Sequence, residues 1–277
     1  MLRRWGILLA VLTLMAGVTL AASGASAATI GFRPGGPIHL AEASSHLHRG
    51  ISLQAGRGIS HQAESTNWSG YAATSGTYTS VSASWTQPAV TCGHGNQYAA
   101  VWVGLDGYSS GSVQQTGSEV DCVGGTARYY AWYEMYPNAS VNYSNMVRAG
   151  DHFSASVTYE NNDEFSLFMA DTTQGWSHTT VASMANAARS SAEVIVEAPC
   201  ASSGRILTPP CTSSGGILPL TDFGTVSISS SMANGAALGN ADGVTAITMV
   251  DNAGHGKVAI SSLSGGENFT ASWLRSK

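Results

Sequence analysis

The stretch His152-Phe153-Ser154-Ala155-Ser156-Val157-Thr158-Tyr159 alternates polar and apolar side chains with a period of two residues. Because successive side chains of a β-strand point to opposite faces, this period indicates a strand with one buried face. Similar segments, bounded by Gly, Asn, Asp and Ser, recur along the chain, and only residues 184–192 could form a helical turn or two. The pattern predicts an all-β fold, a β-sandwich or jelly roll. The predicted strands are Val81–Thr86, Tyr98–Val103, Val113–Gln115, Arg128–Tyr133, Phe153–Tyr159, Glu164–Asp171, Thr179–Ser183, Glu193–Glu197, Thr225–Ser229, Thr245–Val250, Val258–Ser262 and Phe269–Trp273.

The chain begins with features of an export signal, which we place at residues 1–27. Arg3 and Arg4 precede an apolar run, and the small residues Ala25-Ser26-Ala27 resemble a cleavage site. The run is short for a membrane span and no second one follows, so we expect a secreted, soluble protein that contacts no membrane after signal removal.

Charge divides the rest of the chain at residue 64. Residues 28–64 carry three arginines and four histidines against two glutamates, whereas residues 65–277 carry seven Lys and Arg against fifteen Asp and Glu, a net charge of −8. A basic, histidine-bearing leader before an acidic domain suggests a propeptide that charge holds in place and acid releases. A disordered linker is the alternative. Residues 65–277 are long enough for one all-β domain.

The four cysteines favour disulfides over a metal site, because an exported chain meets an oxidising environment and no CxxC spacing occurs. Three pairings are possible; we expect Cys92 with Cys122 and Cys200 with Cys211, which close the shortest loops. The histidines of the domain show no H-E-x-x-H array, so we expect no metal and no cofactor.

A possible nucleophile motif, Gly107-Tyr108-Ser109-Ser110-Gly111, matches G-x-S-x-G. That motif exposes its serine on a turn from a strand into a helix. Here the residues after Gly111 predict another strand, so we interpret the motif as a hairpin loop.

Two glutamates share one face of the strand Glu193–Glu197, while Val194 and Val196 share the other. If the valines pack in the core, the glutamates face water or a groove. Aromatic residues near the polar motifs could line such a groove or pack in the core: Trp68, Trp102, Trp132, Tyr133 and Tyr136.

Five motifs, in this order along the chain, resemble those of the glutamic peptidases, the eqolisin family. They are Asn67-Trp68-Ser69-Gly70-Tyr71, Trp102-Val103-Gly104-Leu105-Asp106-Gly107, Gln115-Thr116-Gly117, Ala131-Trp132-Tyr133-Glu134-Met135-Tyr136-Pro137 and Ala192-Glu193-Val194-Ile195-Val196-Glu197. The resemblance implies a jelly-roll, concanavalin-like β-sandwich of two antiparallel sheets. It also implies a secreted acid endopeptidase, made as a preproprotein.

The resemblance assigns catalysis to Gln115 and Glu197. Glu197 would activate a water molecule, and Gln115 would hold that water and stabilise the oxyanion, without metal or cofactor. The resemblance gives substrate-binding or supporting roles to Trp68, Trp102, Glu134 and Asp106. Gln114 and Gln115 face opposite ways on a strand, so only one of them can serve the site.

Two other functions remain open from the residues alone. One is a non-catalytic sandwich that binds carbohydrate or peptide, and the other is a glycoside hydrolase that uses two carboxylates out of Asp106, Glu119, Glu134 and Glu197. For the peptidase we expect polypeptide substrates, the chain's own propeptide as an inhibitor, a monomer and no nucleic-acid partner.

Overall fold

The computed structural model of the protein describes residues 44–45, 52–54, 61–201 and 216–277. Within these ranges there is no α-helix, and one 3-10 turn lies at Leu238–Asn240. The strands are β1 Ser44–Ser45, β2 Ser52–Gln54, β3 His61–Ser65, β4 Trp68–Ala73, β5 Ser80–Thr86, β6 Gln97–Leu105, β7 Val113–Val123, β8 Thr126–Tyr136, β9 Val141–Asn142, β10 His152–Asn161, β11 Glu164–Asp171, β12 Trp176–Ser183, β13 Ala192–Glu197, β14 Cys200–Ala201, β15 Thr225–Ala233, β16 Ala236–Ala237, β17 Val244–Met249, β18 Val258–Ile260 and β19 Phe269–Trp273.

The strands form two large sheets, which confirms the predicted β-sandwich. Sheet I has the order β2-β3-β17-β4-β13-β6-β7-β8-β9, and sheet II has the order β12-β11-β10-β5-β15-β19-β18 with β16 beside β15. Neighbouring strands are antiparallel except for β3, which runs parallel to β17. The short strands β1 and β14 pair with each other outside both sheets.

The main core lies between the two sheets and follows from the alternation in the sequence. In β10, Phe153, Ala155 and Val157 are buried and the residues between them are less so. These side chains pack in one cluster with Val194 and Val196 of β13. The valine face of β13 therefore belongs to the core, as expected, and Glu193 and Glu197 lie on the opposite face of sheet I.

That opposite face of sheet I holds a second buried cluster, built around Trp68, Trp102 and Trp132. Two glycines make room for the indole of Trp102. A Cβ atom at Gly117 would lie 2.5 Å from Cβ of Trp102, and one at Gly104 would lie 2.9 Å from its Cζ3. A side chain at Gly117 would collide with β6 at Val101 and Trp102, and one at Gly104 with the ring of Trp102. Glycine is therefore required at both positions by close packing rather than by a turn.

Every predicted strand overlaps an observed one, but two details differ. Strand β4 was not expected, and β7 extends to Val123 rather than ending at Gln115. The helical turn predicted at residues 184–192 is wrong: the chain there is a turn followed by extended structure, with Asn186 and Arg189 at positive φ. The G-x-S-x-G segment is a loop between antiparallel strands β6 and β7, as interpreted.

The disulfide between Cys92 and Cys122 is confirmed. The other expected pair includes Cys211, which lies outside the described residues, as does the predicted signal peptide 1–27. Of the predicted propeptide 28–64, strands β1 and β2 and most of β3 are described; β3 crosses the predicted boundary after Glu64. In the described ranges, no helix is long and apolar enough to span a membrane.

Candidate active site

Glu197, the last residue of β13, has a buried carboxylate held by two donors. Its Oε1 accepts a hydrogen bond from Nδ2 of Asn67 at 3.1 Å, and its Oε2 accepts one from Nε1 of Trp102 at 2.7 Å. Hydrogen bonds from neutral donors to a carboxylate are stronger than those between neutral groups. These two hydrogen bonds therefore fix the orientation of the Glu197 carboxylate.

Asn67 reaches Glu197 because the turn between β3 and β4 is held at several points. The hydroxyl Oγ of Ser65 accepts hydrogen bonds from the backbone N–H of Asn67 at 3.2 Å and of Trp68 at 2.9 Å. The N–H of Ala198 donates to the carbonyl of Asn67 at 2.9 Å. Asn67 belongs to a motif quoted from the sequence, but its contact with Glu197 was missed, because only the pairing of β4 with β13 brings the two together.

Gln115 lies on β7, on the same face of sheet I as Glu197. Its Nε2 donates to Oε2 of Glu134 at 2.6 Å, and the two residues are direct neighbours across β7 and β8. Its Oε1 is buried and accepts no hydrogen bond from the described residues. One acceptor atom of the amide is therefore left without a partner among the described residues. Gln114 points to the other side, where its Nε2 donates to Ser112.

The strand register places Glu197 and Gln115 on a diagonal of sheet I. Glu197 is level with Ala100 of β6, whereas Gln115 is level with Gly104, four residues further along. This offset is about 13 Å along the strands at the usual rise per residue. Trp102 lies midway on the diagonal, so its indole packs between the two positions while it donates to Glu197.

Glu193 is level with Gln115, across Gly104. Its side chain is fully buried, and neither carboxyl oxygen has a hydrogen bond of good geometry with a described residue. Burial raises the pKa of Glu193 well above its usual value, and the charge of Asp106 adds to this. The hydroxyl of Ser191 and the N–H of Tyr108 oppose it only in part. Glu193 is therefore a neutral acid under acidic conditions.

The remaining predicted site residues have different surroundings. Trp68 packs its ring against Trp102 edge to face, with ring centroids 4.9 Å apart. Asp106 accepts hydrogen bonds from the backbone N–H of Arg189 at 2.8 Å and of Ser190 at 2.9 Å, so its carboxylate holds the loop that precedes β13. The structure thus brings Trp68 and Trp102 to Glu197, brings Glu134 to Gln115, and places Asp106 beside Glu193.

A β-sandwich that carries a buried glutamate and glutamine on the outer face of one sheet has the features of a glutamic peptidase. Residues 66–273 match the Peptidase A4 family, and the chain belongs to this family. It is a glutamic endopeptidase with polypeptide substrates. Family membership thus decides for the peptidase over the non-catalytic and glycosidase alternatives.

Known proteins agree with this assignment. Aspergillopepsin-2 of Aspergillus niger is 25% identical over 241 residues, which cover 78% of this chain and 80% of that protein. The fold matches scytalido-glutamic peptidase, solved with a transition state analog inhibitor, with a TM-score of 0.62 at 24% identity, over 76% of this chain and 98% of that one. It also matches aspergilloglutamic peptidase from Aspergillus niger, with a TM-score of 0.52 at 24% identity, over 64% and 99% of the two chains.

Proposed function

We propose that this peptidase is a secreted acid endopeptidase that uses Glu197 as general base and Gln115 as the group that stabilises the oxyanion. The contact set of Glu197 carries the proposal: two donors, Asn67 and Trp102, hold its carboxylate in a buried site. Gln115 lies on the same face of sheet I, and its buried Oε1, which accepts no hydrogen bond from the described residues, is assigned to the attacking water.

The reaction follows from these groups. Ionised Glu197 removes a proton from a water molecule, which attacks the carbonyl carbon of the scissile peptide. In this scheme the amide of Gln115 donates to the developing oxyanion, a contribution of about 3 kcal/mol for one such donor. This requires Gln115 and Glu197, which are offset by about 13 Å along the strands, to reach the same carbonyl group of the substrate. Glu197 then gives its proton to the leaving amine, which completes hydrolysis without a covalent intermediate.

Glu193 is the alternative base, because it shares the face of sheet I with Glu197. Glu193 is level with Gln115 and Glu197 is not. A base must be ionised, however, and burial raises the pKa of Glu193 well above its usual value. We assign the base to Glu197 because Asn67 and Trp102 donate hydrogen bonds that orient its carboxylate, and the variants below test Glu193 as the alternative.

The supporting roles follow from the same contacts. Glu134 fixes the amide of Gln115, Trp102 positions Glu197, and Trp68 packs against Trp102. Asp106 shapes the loop that precedes β13. The predicted signal peptide, the inhibitory propeptide 28–64, the domain 65–277 and the monomeric state complete the proposal.

The test is cleavage of a denatured protein at about pH 3.5, somewhat below the pKa of a model glutamate, about 4.3. We expect Glu197→Gln to abolish turnover and Gln115→Ala to lower kcat by a factor of about 100 to 1,000. Glu193→Gln should retain activity, because glutamine resembles a neutral acid. Glu164→Gln, on the exposed end of β11, is the matched control. Full activity of Glu197→Gln, or loss of activity in Glu193→Gln alone, would show that the assignment of the base is wrong.

A further inference from the structure

A cavity of about 430 Å³ lies beside the turn between β3 and β4, and none of the predicted catalytic residues lines it. Five of its lining residues are apolar: Ile217, Leu218, Pro219, Val250 and Ala253. Thr66 forms another part of the wall. The side chain of Lys257 belongs to the same lining, and we call the space the Lys257 cavity.

Lys257 carries a buried amine with no counter-ion in direct contact among the described residues. Lys257 is 4% exposed, and within the part of the chain that the structure describes its Nζ makes one hydrogen bond, a long one of 3.4 Å to the carbonyl of Thr66. No carboxylate of the described residues lies within 4.0 Å of it. Burial accordingly lowers its pKa to about 8, although the charge of Asp251 opposes that shift.

Asp251, the acidic residue in the cavity lining, is already engaged in its own loop. Its Oδ1 accepts hydrogen bonds from the N–H of Ala253 at 2.8 Å and of His255 at 2.9 Å. Its Oδ2 contacts the ring of His255 at 3.0 Å and lies 3.8 Å from the guanidinium of Arg275. Asp251 therefore does not neutralise Lys257 by direct contact.

Buried charges in proteins are ordinarily paired or hydrogen-bonded, since an isolated buried ion is costly. Below pH 8 the ammonium of Lys257 is charged and has two N–H groups without a protein acceptor among the described residues. An anion that enters the cavity would meet this cation beside apolar walls. A carboxylate that carries an apolar group fits this lining, because the carboxylate pairs with the ammonium and the apolar group contacts the apolar walls.

We propose that the Lys257 cavity binds a carboxylate that carries an apolar substituent, with the ammonium of Lys257 as its counter-ion and Ile217, Leu218 and Val250 around the apolar group. Such a carboxylate is present at the C-terminal end of a peptide and in small aliphatic acids. This binding site lies outside the candidate active site and does not depend on the catalytic assignment.

The chain contains two lysines, Lys257 and Lys277, so protein labelled with ¹³C at lysine Cε gives two resonances. Titrations are run at about pH 6, where a carboxyl group with a pKa of about 3.5 is ionised and Lys257 remains protonated. N-acetyl-leucine represents a peptide end, isovalerate a small acid, and N-acetyl-leucinamide the uncharged control.

We expect N-acetyl-leucine to shift the Lys257 resonance to saturation and to raise the pKa of Lys257 above about 8. The leucinamide should leave the resonance unchanged. Tighter binding of N-acetyl-leucine than of isovalerate would identify peptide ends as the source, and the reverse would identify small acids; either order supports the site. Equal shifts from the acid and the leucinamide, or no shift from either acid, would overturn it.

Variants provide a second test. Lys257→Met should abolish the binding of N-acetyl-leucine, measured by calorimetry, whereas Lys277→Met, which removes a cation from the rim of the same cavity, should retain it. If Lys257→Met does not fold, the comparison of N-acetyl-leucine with N-acetyl-leucinamide on the unaltered protein still tests the proposal. Retained binding in a folded Lys257→Met protein refutes the proposal.

Discussion

Replacement of Glu193 by glutamine should change how the stability of the protein depends on pH. Glu193 is fully buried on the outer face of sheet I, and burial raises its pKa well above its usual value. In the unfolded chain the same carboxyl group titrates near about pH 4.3. Between these two values, the folded protein keeps a proton that the unfolded chain has lost.

The sign of the effect follows from this difference. The free energy of unfolding falls with rising pH wherever the native state binds more protons than the unfolded state. One such site gives a slope of up to about 1.4 kcal/mol per pH unit above about pH 4.3, and no slope well below it, where both states are protonated. Glu193 therefore favours the folded protein at acidic pH, and its stabilising neutral form is lost as pH rises.

Urea unfolding at a series of pH values from about 3 to 6.5, on either side of the usual glutamate pKa, measures the effect. The glutamine of Glu193→Gln cannot ionise. The free energy of unfolding of this variant, minus that of the unaltered protein, should therefore rise by up to about 1.4 kcal/mol for each pH unit above about 4.3. Glu164→Gln, on the surface, should follow the unaltered protein at all pH values.

Parallel stability curves for Glu193→Gln and the unaltered protein over this range would refute the reasoning, because they would mean that Glu193 titrates alike in the folded and unfolded states. The charged and ionisable neighbours of Glu193, Asp106, Tyr78 and Tyr108, are present in both proteins. Their contribution to the pH dependence therefore cancels to first order when the free energy of unfolding of one protein is subtracted from that of the other.

Three further predictions concern Trp102, Gly104 and the disulfide. Trp102→Phe removes the N–H that donates to Glu197 at 2.7 Å. We expect a loss of about 1.5–3 kcal/mol in transition-state stabilisation, measured through kcat/KM. An unchanged kcat/KM would exclude a positioning role for Trp102. Gly104→Ala brings a methyl group to 2.9 Å from the ring of Trp102. It should lower the free energy of unfolding, measured by urea titration, by about 1–3 kcal/mol. An unchanged free energy of unfolding would mean that the indole can move. Cys92→Ser with Cys122→Ser opens a loop with a sequence separation of 30 residues and should cost about 3–4 kcal/mol, while no change in the urea midpoint would contradict the chain-entropy account.

Alternation in the sequence predicted those strands that have one face in the core and one face toward solvent, of which β10 is an example. Strand β4 was not predicted because all six of its residues are buried and no alternation remains. The length of β7 was underestimated because Gly117 suggests a break. In the folded sheet, that glycine instead accommodates Trp102 of the neighbouring strand, a contact between residues far apart in sequence.

The site was predictable in its residue types and less so in its geometry. The spacing of Glu193 and Glu197 placed them on one face of a strand, and the structure agrees. Their different surroundings depend on neighbouring strands: Asn67 and Trp102 for Glu197, and Asp106 for Glu193. Likewise, the helical turn expected at residues 184–192 does not form. Two backbone N–H groups of this segment donate to the carboxylate of Asp106, so they are not available for the hydrogen bonds of a helix.

The parallel pairing of β3 with β17 has a consequence for the proposed removal of the propeptide. The pairing joins Thr245–Met249 to His61–Ser65, and the predicted cut after Glu64 separates nearly all of β3 from the domain that follows. If the severed strand dissociates, β17 becomes an open edge whose backbone groups can recruit a strand from another molecule, which is a route to aggregation. If it stays, the mature enzyme is a noncovalent complex of two chains. Mass spectrometry of the activated protein under native conditions distinguishes the two states.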